Sequence, residues 1–360
     1  MYELSEIRLS NALKVATFCC LLVFGALLVA SCAQTKRENK TTDLWNVLRD
    51  HSVSSVVWSP KGDHIAFVAA GYKDDTDDGL LRASIWIASM SRRGQIEKIG
   101  RLITLTRKQG IPAALFWVDS NRVGWAASRT SSFGFMQMSL ASNKPEPLVS
   151  QSFRGFQGTG DSGPWSAPDD VYYDTVSRSL LFSAALPPGN EVYVRILPLG
   201  TKKARTLHVP PVKGLAHPII SNVTLCGSLS NLNEPEFYLA AWMLVHTYEG
   251  GGCYLWHSTS YSLHQDNILT TSPHQGFAFP RTSPDRKLLA YLRSPGERKP
   301  DELVLRDPNS GKQRVLGILQ SRWKDLSPAI GCPFSWSPDG KAIAYADGSK
   351  IKTVKVERCE

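Results

Sequence analysis

Apolar residues along this chain come in short bursts, and turn-forming residues stand between the bursts at regular intervals. Three segments show the unit most clearly. They are Val57-Trp58-Ser59-Pro60-Lys61-Gly62-Asp63-His64-Ile65-Ala66-Phe67, Arg281-Thr282-Ser283-Pro284-Asp285-Arg286-Lys287-Leu288-Leu289-Ala290-Tyr291 and Ser335-Trp336-Ser337-Pro338-Asp339-Gly340-Lys341-Ala342-Ile343-Ala344-Tyr345. Degenerate copies begin at Phe116-Trp117 and Tyr172-Tyr173, and a weaker one lies near Val223-Thr224-Leu225 with Glu236-Phe237-Tyr238-Leu239-Ala240 behind it. Taking Trp58, Trp117, Tyr173, Leu225, Thr282 and Trp336 as equivalents, the spacings are 59, 56, 52, 57 and 54 residues. A period sustained over most of the chain marks a repeat architecture.

The physics of the unit is readable. An apolar strand ends at the reference aromatic. Ser-Pro-Asp-Gly then makes a tight turn, because Pro presets φ, Asp bonds back to the backbone and Gly accepts positive φ. The strand after it, Ile-Ala-Phe or Ile-Ala-Tyr, is apolar on both faces, as a strand covered on both sides must be. Third strands follow at Ser84–Ala88, Glu191–Ile196, Glu302–Leu305 and Lys350–Val356, and fourth strands at Leu102–Leu105 and Gln313–Leu316. Short antiparallel strands repeated in fours are the signature of a β-propeller. The fold class expected is all-β: a six-bladed β-propeller, or seven-bladed if 226–275 holds an extra blade. The last repeat has only three strands before Glu360, so a strand from Leu44–Val53 is expected to complete it and close the ring.

The first 31 residues stand outside this pattern. Arg8 and Lys14 precede an apolar run, Val15–Ala30, which ends in Val29-Ala30-Ser31-Cys32. Charged segment, apolar segment and small residues form an export signal. The run has 16 residues, short of the roughly 20 needed to span a bilayer. Cys32 directly after the small residues resembles the lipobox of bacterial lipoproteins. That resemblance implies a signal peptide at 1–31 and a diacylglycerol on Cys32. Each buried CH2 of such an anchor contributes about 0.8 kcal/mol. Residues 32–42 read as the lipidated Cys and a polar tether, and 43–360 as the propeller. Ala33 after the Cys, rather than Asp, favours the periplasmic face of the outer membrane in a Gram-negative cell.

The net charge of +9 describes a solvated, mildly basic surface, with Lys36, Arg37 and Lys40 suited to an anionic membrane beside the anchor. No dense basic run suggests nucleic acid as a partner. Cys226, Cys253, Cys332 and Cys359 make an even set that permits two disulfides in an oxidising compartment, with three possible pairings.

The Trp-Ser-Pro-Asp-Gly repeat resembles that of TolB-type propellers over about residues 52–357. The resemblance implies a six-bladed propeller in the cell envelope that binds other envelope components, but it leaves no room for the family's separate N-terminal α/β domain. Similar repeats occur in prolyl-oligopeptidase-type peptidases, whose hydrolase domain requires a Gly-x-Ser-x-Gly elbow that this sequence lacks.

Candidate chemistry is sparse. Gly160-Asp161-Ser162-Gly163-Pro164 is similar to a trypsin-like nucleophile segment but lacks its second consecutive Gly. Asp74, Asp75, Asp77 and Asp78 make an acidic loop without EF-hand spacing. His246, Glu249, Cys253 and His257 cluster without a recognised zinc spacing. His51, His217 and His274 each precede a reference position by seven or eight residues. That places them on innermost strands, where three imidazoles converging on a channel mouth are a candidate divalent-metal site. Some propeller polysaccharide lyases use axial histidines in this way. No cofactor is expected otherwise. The sequence favours a non-enzymatic, lipid-anchored envelope propeller binding a protein or glycan through loop aromatics such as Phe153, Phe156, Trp165 and Trp256. The alternative is a metal-dependent, lyase-like enzyme or small-ligand binder at the channel mouth.

Overall fold

The computed structural model describes residues 45–49, 51–71, 82–106, 109–128, 132–142, 144–150, 152–154, 171–174, 177–185, 192–200, 204–208, 218–225, 237–243, 253–259, 262–265, 276–295, 299–319 and 331–357. The chain divides into a unit at 1–49 and a unit at 50–360. The described part of the first is one helical turn, with the Leu48 N–H donating to the Trp45 carbonyl at 2.9 Å.

The second unit is built from strands in chain order. The first sheet holds β1 (His51–Trp58), β2 (His64–Gly71), β3 (Arg82–Met90) and β4 (Ile96–Leu105). The second holds β5 (Ile111–Asp119), β6 (Arg122–Ser128), β7 (Ser132–Ser139) and two short outer strands, β8 (Glu146–Pro147) and β9 (Phe153–Arg154), which both pair with β7. The third holds β10 (Val171–Asp174), β11 (Ser179–Ala185), β12 (Val192–Pro198) and β13 (Arg205–His208). The fourth holds β14 (Pro218–Leu225), β15 (Phe237–Met243), β16 (Cys253–Thr259) and β17 (Ser262–Gln265). The fifth holds β18 (Gly276–Thr282), β19 (Leu289–Ser294), β20 (Asp301–Arg306) and β21 (Gln313–Leu319). The last holds β22 (Phe334–Trp336), β23 (Ala342–Asp347) and β24 (Lys350–Lys355). Every pairing is antiparallel between chain neighbours, apart from the extra β7–β9 pair.

The first strands of the sheets form a ring. β1 lies against β5 and β22, β5 against β10, β10 against β14, and β14 against β18. The Trp336 indole N–H reaches from β22 to the Arg281 carbonyl on β18 at 3.1 Å. The fold is an all-β propeller. The expected blade count is corrected: among the described residues there are five complete blades and a sixth sheet of only three strands. The described residues of 226–275 supply β15–β17 to the fourth sheet and no additional blade.

The expected closing strand at Leu44–Val53 is also corrected. Residues 45–49 form a helical turn because Trp45 and Leu48, three apart, share one buried side while Asn46, Val47 and Arg49 are exposed. His51–Val53 open β1 and pair with Gly71–Ala69 in the first sheet. The outer side of β24 therefore has no strand partner among the described residues.

The core lies between successive sheets. Ala66, Val68 and Ile85 of the first pack on Leu115, Trp117, Trp125 and Met138 of the second. Phe279, Leu292 and Leu305 of the fifth pack on Phe334, Trp336, Ile343 and Tyr345 of the last. Second strands are buried on both faces, as their continuous apolar runs require; β2 is buried from Ile65 to Ala70.

Innermost strands bulge where they pass the axis. β1 shifts register between Ser54 and Val57, and Ser55 takes φ 50°. β18 repeats this between Ala278 and Arg281, with Phe279 at φ 53°. The bulge turns Ser55 towards the next blade, where its Oγ accepts the Leu115 N–H at 2.8 Å. It also frees the Val56 N–H to donate to the Cys332 carbonyl of the last sheet at 2.9 Å. A Cβ on Gly331 would lie 2.2 Å from the Ser55 Oγ, so only glycine fits there.

Ser55→Ala strands the buried Leu115 N–H. It is expected to lower unfolding free energy by about 1–3 kcal/mol in denaturant titration, whereas Ser52→Ala on the same strand, away from the bulge, leaves the midpoint nearly unchanged.

Candidate functional site

The Ser-Pro turns leave the C-terminal ends of the innermost strands, and all three clear copies share one wiring. The Ser N–H donates to a carbonyl five residues on: Ser59 to His64, Ser283 to Leu288 and Ser337 to Ala342, each at 2.8 Å. The Ser Oγ accepts the N–H of that same residue, at 3.0, 3.0 and 2.9 Å. The hydroxyl then donates to an Asp: Asp63 at 2.8 Å, Asp285 at 2.6 Å and Asp339 at 2.7 Å. Positive φ falls on Gly62 (73°), Gly340 (70°) and, in the middle copy, Arg286 (61°). A non-glycine residue there carries steric strain that glycine avoids.

The turns nest around the ring. Pro338 of the last sheet lies 3.4 Å from where a Gly62 Cβ would stand, and Pro284 lies 3.5 Å from the equivalent point at Gly340. Side chains continue the linkage. The Trp117 indole N–H donates to the Val57 carbonyl at 3.1 Å, and the Tyr173 hydroxyl donates to the Val118 carbonyl at 3.5 Å. Burial pushes the Tyr173 phenol pKa up from its ordinary value.

This end of the ring encloses a cavity of about 350 Å³. Its wall includes Trp58, Trp117, Tyr172, Arg281, Arg286 and Trp336. The Arg281 guanidinium carbon stands 6.0 Å from the Tyr172 ring centroid, in cation–π range. The buried Trp58 indole N–H has no hydrogen-bond partner among the described residues. Aromatic faces and a guanidinium in one concave site suit a polar ligand with apolar faces, such as a peptide or a sugar.

Of the sequence candidates, His51 is the first residue of β1, at the opposite end of that strand from Trp58, with its ring 3.2 Å from where a Gly71 Cβ would stand. His217 and His274 lie outside the described residues, as do Cys226, Cys359, the 74–79 acidic run, 160–164, His246 and Glu249. Cys253 and His257 belong to β16. Cys332 is buried, with its thiol donating to the Phe334 carbonyl at 3.1 Å. Cys32 and the segment before it are also outside the described residues. Among the loop aromatics, Phe153 and Trp256 are strand residues, paired with Phe133 and with Leu239 respectively. Phe156 and Trp165 are outside the described residues.

Sequence reasoning missed Tyr172 and Arg281. Both occupy the position just before a reference residue, Tyr173 and Thr282, so aligning the repeats one place earlier would have singled them out.

No protein-family model and no curated protein sequence matches the chain. Among solved structures it is similar to TolB from Acinetobacter baumannii, at 14% identity and TM-score 0.48 over 87% of this chain; the chain spans 65% of that TolB. It is similar to oligogalacturonate lyase from Vibrio parahaemolyticus, at 9% identity and TM-score 0.44 over 86% of this chain and 92% of that one. It is also similar to the β-propeller domain of the Trilobed protease from Pyrococcus furiosus, at 9% identity and TM-score 0.44 over 86% and 94%. TolB is thus among the similar structures, as the repeat implied. The propeller assignment rests on the sheet topology of this chain, and these likenesses carry no argument about function.

Two outcomes follow from the turns. Arg286→Gly removes the strain of the left-handed position and is expected to raise stability by about 0.5–1 kcal/mol, read as a higher melting temperature. The Asp339 carboxyl is held below its ordinary pKa by the Ser337 hydroxyl and the Lys341 N–H. Its folded pKa is the lower one, so its stabilisation is present above the unfolded value and is lost as pH falls through the folded value. Stability measured from pH 6 downward should therefore fall less steeply below about pH 4 in Asp339→Asn than in the parent.

Proposed function

We propose that the protein is a non-enzymatic, lipid-anchored propeller of the cell envelope that holds a protein or glycan partner at the mouth of its channel. In this reading the three-stranded sheet is the sixth blade of the ring. Cys32 carries the anchor, residues 33–42 are the tether, and the membrane in a Gram-negative cell is the outer one, at its periplasmic face.

The observation that carries the reading is the 350 Å³ cavity with Tyr172, Arg281 and Trp58 in its wall. It is large enough for one or two residues of a peptide or one sugar ring. The frame around it is stiff, because each neighbouring wall is tied to the next through a reference aromatic or a nested turn. A pre-formed site of this kind spends little on ordering when it binds. The repeat resemblance to TolB-type propellers adds an envelope setting, and the lipobox adds the anchor.

The test is affinity capture of the tagged full-length protein from crosslinked envelopes, with Tyr172→Ala and Arg281→Ala beside the parent. A stoichiometric envelope protein or glycan, reduced about tenfold in both variants, supports the reading; each lost wall contact is worth roughly 1 kcal/mol or more. Undiminished capture in both variants overturns the cavity as the site. A purified protein that retains divalent metal, and loses it on His51→Ala or His217→Ala, overturns the non-enzymatic reading in favour of the metal-dependent one.

A further inference from the structure

The outermost strand of the last sheet is unlike its counterparts. Each of the other five sheets has a strand in the fourth place, whereas among the described residues β24 has β23 on one side and no strand on the other. The Val356 N–H, just past the strand, donates inward to the Lys341 carbonyl at 2.8 Å. Backbone N–H groups alternate in direction along a strand. Those of Ile351, Thr353 and Lys355 therefore point away from β23, along the open edge.

Side chains on this edge are cationic. Lys350, Lys352 and Lys355 are exposed. Lys352 pairs with the buried Asp347 at 2.5 Å, so Lys350 and Lys355 carry the uncompensated charge of the edge. Lysines on an edge strand discourage pairing with apolar or like-charged strands. A second copy is like-charged: antiparallel pairing with Thr353 opposite Thr353 would bring the two Lys352 residues onto one diagonal and set no carboxylate opposite any of the lysines. The same lysines attract a strand bearing carboxylates at the matching positions.

We propose that the free edge of β24 accepts an extended, acidic polypeptide segment of another protein as an antiparallel fourth strand, completing the last sheet. Main-chain hydrogen bonds to Ile351, Thr353 and Lys355 supply the register, and carboxylates opposite Lys350 and Lys355 supply the selectivity, Lys352 being already paired with Asp347. The site lies on the outside of the ring and is independent of the channel-mouth cavity.

The probe is a labelled peptide with the core Glu-Val-Thr-Glu-Val-Glu, which places its acids opposite Lys355, Lys352 and Lys350 when antiparallel. Fluorescence anisotropy on the full chain is expected to give saturable binding that weakens as salt rises. Replacing the three Glu by Lys is expected to weaken it at least tenfold. Thr353→Pro removes an outward N–H without touching the β23 ladder and is expected to abolish binding, while Thr353→Val retains it. The peptide itself supplies a control free of folding effects. N-methylation at its Thr, opposite Thr353, abolishes binding, and N-methylation at its central Glu, opposite Lys352, leaves it intact. Equal binding of the Glu and Lys peptides, or equal effects of the two N-methyl groups, overturns the proposal. So does peptide-independent dimerisation through this edge, which would make a second copy the occupant. Tyr172→Ala leaves peptide binding unchanged, so failure here is separable from failure of the channel-mouth reading.

Discussion

A strand on the axis of a ring has a sheet partner on one side only, and its other edge is buried with polar groups that must be satisfied. This constraint organises the molecule. β1 meets it with a bulge that aims the Ser55 hydroxyl at Leu115 and the Val56 N–H at Cys332. The Val53 N–H donates to the Gly348 carbonyl, and the Trp58 N–H to the Ser335 hydroxyl. β1 is therefore joined to its neighbours by individual bonds from bulged or terminal residues. A continuous ladder would instead have fused two sheets into one.

The apolar burial follows from the same arrangement. Once the inner edges are fixed, each sheet can lay its face on the next, and the reference aromatics fill the wedge near the axis. Trp117 and Trp336 each do two things there. Their rings join the core between sheets, and their indole N–H groups close on a carbonyl of the neighbouring inner strand. A Phe at either position would lose the tie and leave part of the wedge unfilled.

Much of this was legible in the chain. Trp-Ser-Pro-Asp-Gly fixed the turn, because Ser, Asp and Gly each have one local role, and the continuous apolar run at Ile65–Ala70 announced a strand covered on both faces. The ring closure was not legible. Leu44–Val53 carries apolar residues compatible with either period, and the helical spacing of Trp45 and Leu48 prevailed over strand alternation. The channel wall was missed for a different reason. Tyr172 and Arg281 are unlike one another as residues, so nothing in their type marks them as equivalent; only their shared place in the repeat does. Phe153 and Trp256, expected on loops, sit instead in strands opposite Phe133 and Leu239, because a two-residue outer strand and a short apolar run leave little periodicity to read.

Trp58 is the equivalent of Trp117 and Trp336, yet its indole N–H makes no bond among the described residues. It stands at the joint between the first and last sheets, the one joint whose two sides come from opposite ends of the repeat series. That joint is fastened by main-chain donors instead: the Val53, Val56 and Trp58 N–H groups all cross it. The indole is thereby left without a structural bond to make. Sensitive in its emission to what its N–H touches, it is a built-in gauge of the seam where the two ends of the repeat series meet.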